Sequence, residues 1–138
     1  MSAGTNSNIL NRGIYFIINS DEPFDDKKND PTYLTVPKGA VKFGKSLDLK
    51  NVFDRYQRHT GNNIKVFVVS RIRDRDDIDN IEKLLHAKFK NKRLINKNNR
   101  RVEWMKPIGI DEIKRGCQEV LLGYFGLIDF IKLINESN

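Results

Sequence analysis

The run IKVFVVS, Ile64 to Ser70, is β-branched or aromatic at nearly every position and is bracketed by the polar stretches HTGNN and RIRDRDD. It is too short for a buried helix and lacks the alternation of a strand with one wet face. It therefore predicts a strand covered on both faces, placed centrally in a sheet. The rest of the chain must supply its neighbours and two covering layers. GIYFIIN, Gly13 to Asn19, is a second strand, and it stops at NSDEPFDDKKNDP, where Asn, Asp and Pro end regular structure. Tyr33 to Val36 reads as a further extended piece and, after the turn signal PKG, Ala40 to Gly44 as another strand. The first two main strands are expected to pair around the long acidic insertion between them.

From Asp48 the hydrophobic period changes. Leu49, Val52, Phe53 and Tyr56 follow helical offsets, with Asp48 placed as N-cap, and this helix ends near HTGNN. Ile78, Ile81, Leu84, Leu85 and Phe89 mark a second amphipathic helix. NKRLINKNNRR reads as a basic, Asn-rich loop and VEWMKP as a short extended piece. DEIKRGCQEVLLGYFGLIDFIKLIN predicts one or two C-terminal helices, with Gly116, Gly123 and Gly126 as weak points. No internal repeat is present, and the order of elements points to an α+β fold with a small mixed or antiparallel sheet.

With 138 residues the chain suits one domain with its own core. Its 25 Lys and Arg against 18 Asp and Glu leave a formal charge of +7, which favours polyanionic partners and equally describes a basic solvated surface. The single cysteine, Cys117, has no intramolecular partner, and no Cys/His spacing suits zinc. The opening MSAGTNSN lacks the basic and apolar regions of a signal peptide, and no apolar stretch approaches the roughly 20 residues that span a bilayer. The expectation is a soluble intracellular protein of cytoplasm or nucleus, not secreted, with no membrane partner.

Arg55 and His59 lie four apart on the first helix, with Arg58 beside them, and Glu82 and His86 lie four apart on the second, with Asp79 one turn earlier. A phosphodiester hydrolase needs a cation aimed at the charge that builds on phosphorus, a carboxylate for a divalent metal, and a base for water. Arg55, Glu82 and one of Tyr15, Lys42 or His59 meet those needs. Each also has a plain structural reading. Arg55 suits a helix surface, Glu82 pairs with Lys83 or Lys88, His86 packs or caps, and Tyr15, Phe43 and Trp104 are core aromatics.

Taken in order, GIY at 13–15, VKFGKS at 41–46, DRYQRH at 54–59, IEKLLHAKF at 81–89 and VEWM at 102–105 resemble the GIY-YIG nuclease superfamily. The likeness covers about residues 13–106 and is greatest to a branch associated with phages and large DNA viruses, in which Lys, an apolar residue and Gly form the second motif. The resemblance implies a small three-stranded antiparallel sheet flanked by helices, cutting nucleic acid with one divalent ion, Mg²⁺ or Mn²⁺. Residues 1–12 would be a polar tail, 13–106 the nuclease domain and 107–138 a helical extension packed on it. Tyr15 matches the tyrosine facing the attacking water or its base, Arg55 the arginine that stabilises the pentavalent phosphate, Glu82 the metal ligand, and His59 a histidine four residues beyond that arginine. Gly13 and Gly44 match the motif glycines that let strands and substrate approach closely.

Two departures from the pattern stand out. Lys42 replaces the second-motif tyrosine, as a base or as a phosphate ligand, and the acidic insertion is expected to project away from DNA or to regulate access. A late asparagine has three matches, Asn96, Asn98 and Asn99. The expected activity is a DNA endonuclease, with RNA left open as a substrate, and the alternative is a nucleic-acid-binding module of the same fold with impaired chemistry. Lys45, Arg58, Lys88, Lys90, Lys92, Arg93, Arg100 and Arg101 are the expected phosphate contacts. The apolar C-terminal helix fits a core element with a dimer contact, so a monomer or weak homodimer is expected.

Overall fold

A computed structural model of the chain describes residues 11–26, 34–60, 63–96, 98 and 101–137, with residues 53, 57, 59, 60, 101, 136 and 137 described in backbone only. Strands β1 (Gly13–Asn19), β2 (Phe24–Asp26), β3 (Leu34–Val36), β4 (Val41–Ser46), β5 (Ile64–Arg71), β6 (Arg93–Ile95) and β7 (Arg101–Met105) alternate with four helices. These are α1 (Val52–Thr60), α2 (Arg75–Lys88), α3 (Ile110–Phe125) and α4 (Leu127–Ser137). The fold is α+β, and all the pairings in its main sheet are antiparallel. That sheet has five strands, in the order β5-β1-β4-β7-β6, rather than the expected three. The two additional strands are VEWM with its preceding residue and the Arg93–Ile95 segment of the basic loop. Arg93 Nε donates to the Val102 carbonyl at 2.7 Å, which closes this hairpin against a sequence too polar to announce a strand.

β1 and β4 pair around the insertion as expected, from Gly13↔Ser46 to Ile18↔Val41. β5 corrects a second expectation, because it lies at the edge of the sheet and β1 lies inside it. Helices lie against both of its faces, although Lys65 and Val68 stay exposed. Ile64 and Val66 join Val52 and Tyr56 of α1 in one cluster, while Phe67 and Val69 pack with Phe130 and Leu133 of α4 in the other. The larger cluster runs from Ile14, Phe16 and Phe43 through Ile81 and Leu85 of α2 to Ile113, Cys117 and Leu121 of α3. Burial in it pushes the Cys117 thiol up to about 12, which leaves that sulfur unreactive.

Two further details differ from the sequence reading. Asp48 makes no side-chain cap; a 3-10 turn over Leu49–Asn51 precedes α1, and Asp48 instead accepts from Asn11 at 2.5 Å and from Asn51. Leu84 is exposed, whereas the other four members of the α2 stripe are buried. Asp74 caps α2 by accepting from the Asp77 N–H at 3.0 Å. The C-terminal segment is two helices, parted at Gly126, whose φ of 82° lies in the region only glycine adopts without strain. Among the described residues no helix is long and apolar enough to cross a membrane.

The insertion returns to the sheet. Asn19, fully buried, donates to the carbonyls of Glu22 and Pro37, both at 3.2 Å, and so ties its base. The β2–β3 hairpin then sets Phe24 edge-on to Trp104 with centroids 5.7 Å apart. The described part of the acidic segment thus lies beside the sheet, and residues 27–33 lie outside the described residues.

Candidate active site

Tyr15 and Gly44 face each other across the β1–β4 ladder, and the ring of one fills the space the other leaves. A Cβ on Gly44 would collide with the Tyr15 ring and hydroxyl, and one on Gly13 would collide with the Ser70 carbonyl of β5. The β1–β5 register slips between Ile14 and Tyr15, a bulge of the kind that re-aims a side chain. Tyr15 is thereby buried, its ring edge-on to Tyr56 with centroids 6.2 Å apart, and its hydroxyl donates to that of Tyr56 at 3.4 Å. Burial raises the pKa of both phenols, with their mutual hydrogen bond adding to the rise at Tyr15, so Tyr15 holds its proton at neutral pH.

Strand alternation sends Lys42, Gly44 and Ser46 to one side of β4. Together with Arg55 from α1, this forms an open cleft of about 380 Å³ lined by Tyr15, Lys42, Arg55 and Tyr56. Arg55 Nη2 donates to Ser46 Oγ at 3.4 Å. The Lys42 ammonium sits 3.5 Å from Glu103 Oε2, over the rings of Tyr56 at 5.4 Å and Trp104 at 5.7 Å. Two cations and two phenols thus border one opening.

Glu82 approaches from α2. Its pKa is raised by burial, against which Lys45, Nζ 3.8 Å away, and Lys42 pull it down. Lys45 is held mainly by Asp79 at 2.7 Å, which raises the lysine and lowers the aspartate. His86, one turn beyond Glu82, lies edge-on to Phe43 with its Nδ1 buried and unbonded, and burial lowers its pKa. Glu103 acts electrostatically on Glu82, His86 and Tyr56, so these residues share one neighbourhood.

The structure therefore gathers Tyr15, Lys42 and Arg55 around the cleft, with Glu82 within the electrostatic reach of Lys42. The side chain of His59 lies outside the described residues, as do Asn99, Arg100 and the side chain of Arg101. Asn96 and Asn98 fall in the β6–β7 loop, where the Asn98 N–H donates to Asn96 Oδ1 at 3.0 Å. Among the expected phosphate contacts, Lys90 and Lys92 are exposed, Arg58 Nε is turned back onto the Asp54 carbonyl, and Lys88 is bound to Glu119 at 2.6 Å. Sequence reasoning missed Tyr56 and Glu103 as members of the site. Tyr56 was absorbed into the apolar stripe of α1, and the one hint at Glu103 is its place in a β7 whose Trp104 is buried.

No curated protein and no solved structure matches the chain. A family model matches residues 13–121, which include all seven strands and both helices that carry Arg55 and Glu82. The chain belongs to the T5orf172 domain family, a phage-associated domain of endonuclease-like type.

Proposed function

We propose that this domain is a metal-dependent endonuclease of the GIY-YIG type that hydrolyses phosphodiester bonds in DNA. The observation that carries the reading is the convergence of Tyr15, Lys42 and Arg55 on one open cleft, with Glu82 within the electrostatic reach of Lys42. A phosphodiester entering it meets two cations. The guanidinium of Arg55 offers donors to the phosphoryl oxygens as negative charge builds there, and Lys42 adds a compact point charge. Tyr15 keeps its proton and orients the attacking water by hydrogen bonding. The water oxygen forms the new bond to phosphorus, the bond to the sugar oxygen breaks, and that oxygen leaves and takes up a proton from solvent water. His59, one turn beyond Arg55, is the residue we assign to take the proton from water.

Glu82 fits a single hydrated Mg²⁺ or Mn²⁺. Such an ion needs only one or two carboxylates, with water and substrate phosphate completing its shell. The Glu82 carboxylate is poorly hydrated, and its nearest cation, Lys45, is engaged more closely by Asp79. Among the described residues no three His, Cys, Asp or Glu side chains are grouped to hold a metal, so the donor set suits this open arrangement rather than a closed protein cage. When bound, the ion would neutralise charge on the phosphoryl and leaving oxygens.

Nicking of supercoiled plasmid with Mg²⁺ or Mn²⁺, beside Glu82→Ala and an EDTA control, tests the reading. Metal-dependent cutting that disappears in the variant is expected, and an active Glu82→Ala protein would remove the metal role. A second reading, a binding module without chemistry, is favoured by Lys45 standing 3.8 Å from the carboxylate a metal needs. Plasmid binding with no cutting in any metal would establish it instead.

A further inference from the structure

We propose that Glu103 is a positioning residue, whose carboxylate fixes the Lys42 ammonium at the mouth of the cleft so that the cation meets the scissile phosphate in one place. The proposal rests on the endonuclease reading. Three groups surround the ammonium: the Glu103 carboxylate at 3.5 Å and the faces of Tyr56 and Trp104 at 5.4 and 5.7 Å. Only 19% of the Lys42 side chain is exposed, against 61% of Glu103. An ion pair whose carboxylate is this open to water contributes little to folding, so its value lies in geometry. Lysine has a flexible four-carbon stem and no fork to orient it, and it needs a partner to hold its charge at a given point. Arg55, across the cleft, has such a partner in Ser46.

The position of Glu103 suits this task better than direct contact with substrate. Trp104, its neighbour on β7, is buried in the cluster that holds Tyr15, while Met105 belongs to the other cluster, so β7 is anchored on both faces where Glu103 leaves it. β7 meets β4 at Val41↔Met105, so the strands that carry Lys42 and Glu103 are joined one residue from the lysine and two from the glutamate, and the two side chains close to 3.5 Å. With the carboxylate on one side and rings on two others, the remaining N–H donors of Lys42 are left for the cleft.

Single-turnover cleavage by Glu103→Gln, Lys42→Met and the double variant tests the proposal. The isosteric Glu103→Gln is expected to slow cleavage by up to about a hundred-fold, the scale on which a misplacement of about 1 Å acts. The double variant is expected to be no slower than Lys42→Met alone, because the two residues act as one unit. Glu103→Asp should recover part of the rate, and the metal concentration giving half-maximal rate should not move. Losses that multiply in the double variant, or a raised metal requirement in Glu103→Gln, overturn the proposal, the latter by making Glu103 a metal ligand. The ¹⁵Nζ resonance of the Lys42 ammonium, assigned by its absence in Lys42→Met, is a readout independent of cutting. It should be sharp in the wild-type protein and lost in Glu103→Gln, and its persistence there overturns the proposal. A wild-type protein that never cuts removes the endonuclease reading instead, and the resonance still decides whether Glu103 fixes the cation.

Discussion

Gly44 and Tyr15 show how narrowly the site is built at the scale of single residues. Gly44→Ala pushes a methyl group into the Tyr15 ring, which has no slack because Tyr56 stands against it. Overpacking of this kind costs about 1–3 kcal/mol, so the urea midpoint of Gly44→Ala should fall, and an unchanged midpoint would contradict the packing described. Arg55→Ala should lose roughly 2.7–4 kcal/mol of transition-state stabilisation, the range for one deleted oxyanion donor, seen as a fall in kcat with intact DNA binding; equal rates would remove its role. His86 gives a pH signature. Its folded pKa lies below the ordinary value of about 6.5, so as pH falls through that value the unfolded chain binds a proton that the folded one resists, and stability is lost. Melting curves from pH 8 to 5 should show the wild-type protein losing ground to His86→Gln, and a constant gap would count against the burial effect. Tyr15, Arg55 and Glu82 could be singled out as candidates in the sequence because short motifs and helical spacing are local properties. Glu103 was not, because its meaning depends on Lys42, which lies 61 positions earlier and meets it only through β4–β7 pairing.

At the scale of elements, two glycines of α3 have opposite meanings that no local pattern distinguishes. A Cβ on Gly116 would strike the Phe89 ring where α2 ends, whereas Gly123 has open space around it. Gly116→Ala is therefore expected to destabilise by about 1–3 kcal/mol, with partial recovery in the Phe89→Leu background. Gly123→Ala should stabilise by roughly 0.5–1 kcal/mol through the helical preference of alanine. Thermal melts of the pair would expose an error in either direction. β6 was hidden for a different reason. Three residues in a basic, Asn-rich stretch carry no β signal, and the strand exists because Arg93 reaches the Val102 carbonyl and β7 supplies the ladder. The edge position of β5 was equally hidden, since coverage by α1 and α4 produces the same apolar run that a central strand would show.

For the whole molecule, the net charge of +7 is not evenly available. Lys88 is committed to Glu119 and Arg93 to the backbone, while Lys90 and Lys92 stand in solvent. If the basic stretch holds DNA phosphates, Lys90→Ala and Lys92→Ala should each lower the salt dependence of binding by about one, and Lys88→Ala by less; equal slopes would place the DNA elsewhere. The general architecture was readable because periodicity reports which elements need covering, but the size of the sheet was not, because closure of its far side depends on contacts between distant segments. That closure sets an order of events during synthesis. Ile14, near the start of the described chain, shares a cluster with Leu121 of α3, and Val41 waits for Met105. A nascent chain emerging from the ribosome cannot complete its core until α3 has left the exit tunnel, so the cleft beside β4 gains its final support only after residues some hundred positions downstream of β1 have been made.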